Sequence, residues 1–115
     1  PNNVKVVVDD NWNALYFSRA PIPYIHEGTY EEASVYHQVC VIPFKREFLF
    51  EFTEMAETDL EKTESIDMLR LLENDYDVKL VETDRDTYPV DTLADHERVN
   101  KMMADDELFR EYQSQ

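Results

Sequence analysis

Residues 4–23 read Val4-Lys5-Val6-Val7-Val8-Asp9-Asp10-Asn11-Trp12-Asn13-Ala14-Leu15-Tyr16-Phe17-Ser18-Arg19-Ala20-Pro21-Ile22-Pro23, and this stretch decides the fold. Branching at Cβ stiffens the valines against helix and suits them to a pleated surface, so the run from Val4 to Val8 is expected to be a strand. Asp9-Asp10-Asn11 is a turn cluster, and Ala14-Leu15-Tyr16-Phe17 favours extended backbone again, which predicts two strands joined by a short turn. Ala20-Pro21-Ile22-Pro23 stops regular structure because proline offers no amide donor. The polar run from His26 to Ser34, around Gly28, reads as an exposed loop.

Working outward, residues 35–42 form an apolar run with little alternation, closed by Pro43, and are expected to be a central strand covered on both faces. Phe44, Phe48, Phe52 and Met55 then recur at helical spacing as one apolar stripe, most simply core. Thr58-Asp59-Leu60-Glu61 has the capping-box pattern and predicts a helix from about Asp59 to Glu73. Ile66, Leu69 and Leu72 form its apolar side, while Glu64, Asp67 and Met68 lie on a neighbouring face toward a cleft. Residues 78–81 read as a further strand. Thr92 with Asp95 opens another helix, and a last short one begins near Asp105. The natural packing is an α/β layered fold with a mixed sheet, one unit over residues 1–115. The abrupt start at Pro1, with no initiating Met, reads as a piece of something longer.

Composition narrows the function. Against 26 acidic residues stand 11 basic ones, a formal charge of −15 that repels a phosphate backbone and argues against nucleic acid as a partner. A small anion is still acceptable, because a nearby cation such as Arg19, or a metal, outweighs screened distant charges at contact range. No apolar run approaches the roughly 20 residues needed to cross a bilayer. No basic segment followed by an apolar core reads as a leader, and Cys40 stands alone, so a reducing, cytoplasmic setting is expected. Average usage would give about eight glycines in this length. The chain holds one, Gly28. Neither G-x-G-x-x-G nor G-x-x-x-x-G-K occurs, so any nucleotide phosphates must be cradled by another segment.

Asp91, in Tyr88-Pro89-Val90-Asp91-Thr92, lies between a strand and a helix start, and its carboxylate suits either Mg²⁺ or the helix N-cap. Arg19, at a strand end, suits either a bidentate clamp on a carboxylate or a surface ion pair. Glu61, Glu64 and Asp67 share helical spacing, but such a face is most simply solvated. His26, His37 and His96 lack metal-ligand spacing, and Cys40 within an apolar run reads as a buried inert thiol. The spacings alone reach an α/β domain with an anion or metal site.

Taken together, Pro1 to Val7 and Ala14-Leu15-Tyr16-Phe17-Ser18-Arg19-Ala20-Pro21-Ile22-Pro23 resemble the middle of the CMP-Kdo synthetase (3-deoxy-manno-octulosonate cytidylyltransferase) family. Tyr36 to Leu49 is similar to that family's sugar-site strand and following helix. Leu60-Glu61 through Leu69-Arg70 resembles its acidic helix. Val90-Asp91-Thr92 with Asp95 and Glu97-Arg98-Val99 resembles its "VDTPEDLERV". The resemblance implies the carboxy-terminal part of a nucleotide-diphospho-sugar transferase fold, carrying the sugar-binding and dimerisation side of an enzyme that joins CMP from CTP to a ulosonic acid. It implies Mg²⁺ on Asp91, a sugar-acid contact at Arg19, a weaker anionic contact at Lys5, and a homodimer. No catalytic group is assigned to these residues, and the isolated chain is expected to be inactive. Gln38 and Ile42 stand where the family's "KHIGIY" strand has His and Tyr, and Asp67-Met68 replaces a Glu-Gln pair. Four substrate-facing positions therefore point to a modified ulosonate such as an amino variant. The alternative is a non-catalytic dimerisation or binding module, or a silent remnant, using the Phe44, Phe48, Phe52 face or the early strands as an interface.

Overall fold

The computed structural model of the chain describes residues 3–39 and 41–115. Pro1 and Asn2, the first residues of the resemblance, and Cys40, read above as an inert thiol, lie outside the described residues. Backbone contacts group the chain into two compact units, residues 1–82 and 83–115.

In the first unit the expected hairpin forms, with β1 at Lys5–Val8 and β2 at Ala14–Ser18 paired antiparallel. Its turn is closed by one side chain: Asp9 Oδ1 accepts from the N–H groups of Asn11 and Asn13, both at 2.9 Å. Asparagine and aspartate favour turns for this reason, since the carboxylate or amide oxygen substitutes for a backbone acceptor. Trp12 takes the left-handed conformation at φ 63°. Val6 pairs with Phe17, and both are buried.

The run at 35–42 departs from expectation. Among its described residues only Tyr36–His37 forms a strand, β3, and it pairs antiparallel with β1 at the edge of a sheet ordered β2-β1-β3. Beyond His37 the ladder gains one more bond, from Gln38 N–H to Val4 O at 2.7 Å. Among the described residues nothing pairs with its outer side, so Val41 is 79% exposed where a centrally placed strand would be covered. The layered α/β class holds, but every described strand pair is antiparallel rather than mixed.

Helix α1, Arg46–Glu54, carries the aromatic stripe inward. Phe44 lies against Phe48 and Phe52 at centroid distances of 6.2 and 5.3 Å, and Phe48 meets Tyr76 edge-on at 4.9 Å. The face proposed above as an interface is thus already used for packing. The predicted helix over 59–73 divides into α2, Asp59–Glu64, and α3, Leu69–Glu73. The break is Ser65, a left-handed C-cap at φ 56°, which turns the chain so that Ile66, Met68, Leu69 and Leu71 all enter the core with Val6, Ala14 and Phe17. A straight helix would have carried one stripe there; the turn delivers two. The strand expected at 78–81 is reduced to a single bridge, Lys79 opposite Asn13, flanked by bonds from Ala14 N–H to Val78 O and from Leu80 N–H to Trp12 O, each 2.8 Å.

The second unit consists of α4, Leu93–Ala104, and α5, Glu107–Gln113. The Thr92 capping box forms as read, with Thr92 Oγ1 accepting from Asp95 N–H at 3.1 Å, and Asp106 caps α5 through Phe109 N–H at 2.9 Å. Among the described residues no helix is long and apolar enough to cross a membrane.

Leu69 is fully buried at the centre of the core. Leu69→Ala is expected to destabilise the chain by about 2–5 kcal/mol, the range for deleting a buried leucine. Urea unfolding checks this; an unchanged midpoint would show that α3 does not seal the core.

Candidate functional site

The sheet brings three of the sequence-predicted residues to one end. Lys5 pairs with Ser18 on one side and His37 on the other, so the next residues on β2 and β3, Arg19 and Gln38, flank the start of β1. Gln38 is half-buried there, whereas Ile42, four residues on, stands at the exposed edge.

Arg19 is held from several directions. Its guanidinium donates through Nε to the carbonyl of Glu64 at 2.7 Å and through Nη2 to the carbonyl of Ser65 at 2.9 Å. The last carbonyls of a helix have no intrahelical partner, and a cation placed there also meets the negative end of the helix dipole. The Arg19 backbone N–H donates to Glu64 Oε2 at 3.0 Å, and its carbonyl accepts from Lys5 Nζ at 2.9 Å. Lys5, read above as an anionic contact, is therefore engaged in holding the backbone of Arg19.

Glu64, read from the sequence as part of a solvated or cleft-facing helix side, instead bonds inward to β2. Its Oε1 accepts from Ser18 Oγ at 2.6 Å and Tyr16 OH at 3.3 Å, while Oε2 takes the Arg19 amide. The hydrogen bond from Ser18, then that from the Arg19 amide, hold its carboxyl below the usual range, whereas burial and the neighbouring Glu64 charge push the Tyr16 phenol up. One helical turn earlier Glu61 is buried and forms a two-pronged pair with Arg70, Oε1 to Nη2 at 2.6 Å and Oε2 to Nε at 2.8 Å. Arg70 also stacks over the Phe52 ring and donates to the carbonyls of Phe52 and Met55. The acidic face of α2 is thus turned inward, not solvated as expected. A usable signal lay in β2, where Tyr16 and Ser18 alternate onto one face and end a hydrophobic strand with two hydroxyls that need an acceptor.

Beside the Ser65 turn lies an open, polar groove lined by Glu57, Glu61, Lys62, Ser65, Ile66 and Asp67. Asp67 is exposed and belongs to it, while Met68, its companion in the sequence reading, is 2% exposed within the core and lines no part of it. Arg19 is bonded to the carbonyls of Glu64 and Ser65, and Ser65 and Asp67 line the groove, whereas Arg19 itself is not among its lining residues.

Asp91, in the second unit, is exposed one residue before the cap of α4. The N-cap is Thr92, so the carboxylate of Asp91 does not cap the helix; its backbone N–H donates to Asp95 Oδ2 at 3.3 Å. Asp95 binds the Asp91 and Thr92 amides and Arg98, and the Thr92 side chain first, then the Asp91 amide, hold its carboxyl low. Asp91 therefore presents the carboxylate that fits a hard cation such as Mg²⁺, which takes one or two carboxylates and completes its shell with phosphate and water. Among the described residues no cluster of three or more metal-ligating side chains gathers.

The sequence profile of a family described as cytidylyltransferase matches residues 1–83. The chain is 42% identical to the 3-deoxy-manno-octulosonate cytidylyltransferase of Fusobacterium nucleatum over 86% of this chain and 40% of the relative. It is 43% identical to the enzyme of the same name from Syntrophus aciditrophicus over 90% of this chain and 41% of that one. A solved structure of CMP:2-keto-3-deoxy-manno-octonic acid synthetase complexed with CTP superposes with a TM-score of 0.72 at 35% identity, covering 91% of this chain and 43% of the other. The chain spans about two fifths of the length of these relatives.

The lowered pKa of Glu64 fixes a pH dependence. A carboxyl whose folded pKa lies below its unfolded value of about 4.3 contributes stability above that pH and loses it as pH falls through the folded value. Wild type is expected to melt higher than Glu64→Gln at pH 7, with the gap closing below about pH 4. Thermal melts of both across pH 3–8 check this; a gap that persists unchanged at the acid end would contradict it.

Proposed function

We propose, from the premise that this chain belongs to the cytidylyltransferase family, that it forms the acceptor-sugar side of an enzyme transferring CMP from CTP to a 3-deoxy-ulosonic acid. The observation that carries this reading is the guanidinium of Arg19 bonded to the carbonyls of Glu64 and Ser65, with Ser65 in turn lining a polar groove that includes Asp67. An acceptor of this class carries one carboxylate and several hydroxyls. The guanidinium suits the first, and the carboxylate of Asp67 and the hydroxyl of Ser65 suit the second. Relatives at 40–43% identity that are named for 3-deoxy-manno-octulosonate support the same acceptor class.

Nucleotidyl transfer is a displacement at the α-phosphorus of CTP by the anomeric hydroxyl, with pyrophosphate leaving. Within these 115 residues there is one glycine and no phosphate-cradling loop, so the triphosphate is held by another part of the enzyme. Asp91 is the residue here that would hold Mg²⁺. Bound there, the ion supplies neutralisation of the charge on the transferring phosphate. Arg19 and Asp67 do the work of this chain, fixing which face of the sugar is presented.

Gln38, Ile42 and Asp67 depart from the family's His, Tyr and Glu, whereas Met68, buried in the core, is left out of the acceptor contacts. Gln38 replaces a titratable ring by a neutral amide, and Asp67 draws an acceptor back by one methylene. These changes favour a modified ulosonate, an amino variant among them, over 3-deoxy-manno-octulosonate itself. The reading includes a cytoplasmic homodimer working in lipopolysaccharide or capsule precursor synthesis.

The test joins this chain to the amino-terminal part of the Fusobacterium nucleatum relative and follows CTP-dependent pyrophosphate release over a panel of ulosonic acids. The 115-residue chain alone is expected to be silent and the fusion active, with one acid preferred. A folded fusion that is silent across the panel rejects the enzyme. In the active fusion, Asp91→Asn is expected to lower kcat/KM on the order of 100-fold, the several kcal/mol a metal contributes to charge stabilisation. Unchanged activity and magnesium dependence would remove the metal from Asp91.

A further inference from the structure

Arg19 is fixed by contacts that converge from one residue. Glu64 binds the Arg19 backbone N–H through Oε2 at 3.0 Å, binds Nε through its own carbonyl at 2.7 Å, and fastens the preceding residue through Ser18 Oγ at 2.6 Å. Ser65, next in the chain and left-handed at φ 56°, adds its carbonyl to Nη2 at 2.9 Å. The side chain of Glu64 thus places the backbone of Arg19, while its main chain aims the guanidinium. Both depend on α2 ending at this residue.

A plain structural latch would need only one of these two attachments. Ser18 Oγ with the Glu64 carboxylate already joins β2 to α2, and the Glu61–Arg70 pair already joins α2 to α3. The additional contacts fix the direction of one cation. An arginine loses considerable rotamer freedom on engaging a ligand, and a guanidinium held beforehand has less left to lose. The Glu64 carboxylate takes the amide, the serine and the tyrosine, while Arg19 Nε and Nη2 go to the carbonyls of Glu64 and Ser65. The carboxylate thus sets the backbone of Arg19, and the two carbonyls set the direction of its guanidinium.

We propose that Glu64 is the positioning residue for Arg19, pre-aiming its guanidinium at the carboxylate of the acceptor; this rests on the acceptor-sugar reading above. The prediction concerns orientation and affinity, which separate from stability. In the 115-residue chain, ¹⁵N spectra report the Arg19 Nε–H resonance directly, and titration with the ulosonic acid that the fusion described above prefers reports the binding constant. Four variants are compared: Glu64→Ala, Glu64→Gln, Arg19→Ala, and Phe48→Leu as a control that loosens the α1 aromatic cluster away from Arg19.

Without ligand, Glu64→Ala is expected to move the Arg19 Nε–H signal toward that of a solvated arginine, with Glu64→Gln intermediate because its amide oxygen still accepts from Ser18. Affinity for the acid should fall about tenfold in Glu64→Ala, the worth of a charge-assisted hydrogen bond that must now be oriented at the moment of binding. Phe48→Leu should lower the melting temperature yet leave both readouts in place. Three results would overturn the proposal. Loss of affinity that tracks melting temperature through all variants, the control included, would make Glu64 merely structural. An unmoved Nε–H signal and full affinity in Glu64→Ala, alongside lost affinity in Arg19→Ala, would leave the acceptor reading standing and remove the positioning role. A wild-type chain that does not bind the acid, or binds it equally well as Arg19→Ala, would remove both.

Discussion

A single carboxylate, that of Glu64, ties the end of a β-strand to the end of a helix. It gathers Ser18 Oγ, Tyr16 OH and the Arg19 amide from β2, and α2 stops there with its last carbonyls given to Arg19. A charge on a partly buried residue costs several kcal/mol unless its lone pairs are filled, and here three donors fill them. The geometry follows from that requirement. For the carboxylate to reach β2 the helix must end at Ser65, and with the helix ended, residues 66–71 re-enter the core at a different angle.

Glu61 applies the same logic on the other side of α2. Its pairing with Arg70 is two-pronged and buried, and Arg70 in turn covers the Phe52 ring and the carbonyls at the end of α1. Two acidic residues three apart on a six-residue helix therefore fasten it to β2 at one end and to α1 and α3 at the other. In a chain with a formal charge of −15, turning two carboxylates inward onto donors also removes them from the repulsion among the remaining acids. The core that these contacts enclose is small, seven buried apolar side chains among the described residues, so the polar fastenings carry an unusual share of the specification of the fold.

Elements set by local chemistry were legible in the residues themselves. The hairpin turn needs only Asp9 and its neighbours, the α4 cap only Thr92 and Asp95, and the α1 stripe only the spacing of four apolar residues. What failed depended on distant partners. The run at 35–42 has the composition of a covered strand, but coverage is supplied by other segments, and among its described residues only Tyr36 and His37 form a strand, with Gln38 adding one backbone bond to Val4. The single helix read over 59–73 had no proline or glycine to end it. Its end is imposed by β2 through Arg19 and Glu64, 45 residues apart in sequence. The site divides along the same line. Arg19 and Asp67 were visible as residue types, but Met68 was read onto a cleft because a straight helix would have carried it there, whereas the Ser65 turn rotates it into the core. The inward role of Glu64 was not legible because nothing within one helix distinguishes an inward glutamate from a solvated one.

The direct test of the account is a crystal structure of the chain grown with the ulosonic acid that the active fusion prefers. The account predicts the sugar carboxylate within hydrogen-bond distance of the Arg19 guanidinium, about 3 Å, with hydroxyls toward Asp67 and the Ser65 turn. A sugar bound with its carboxylate away from Arg19, or no sugar on this face at saturating concentration, would contradict it.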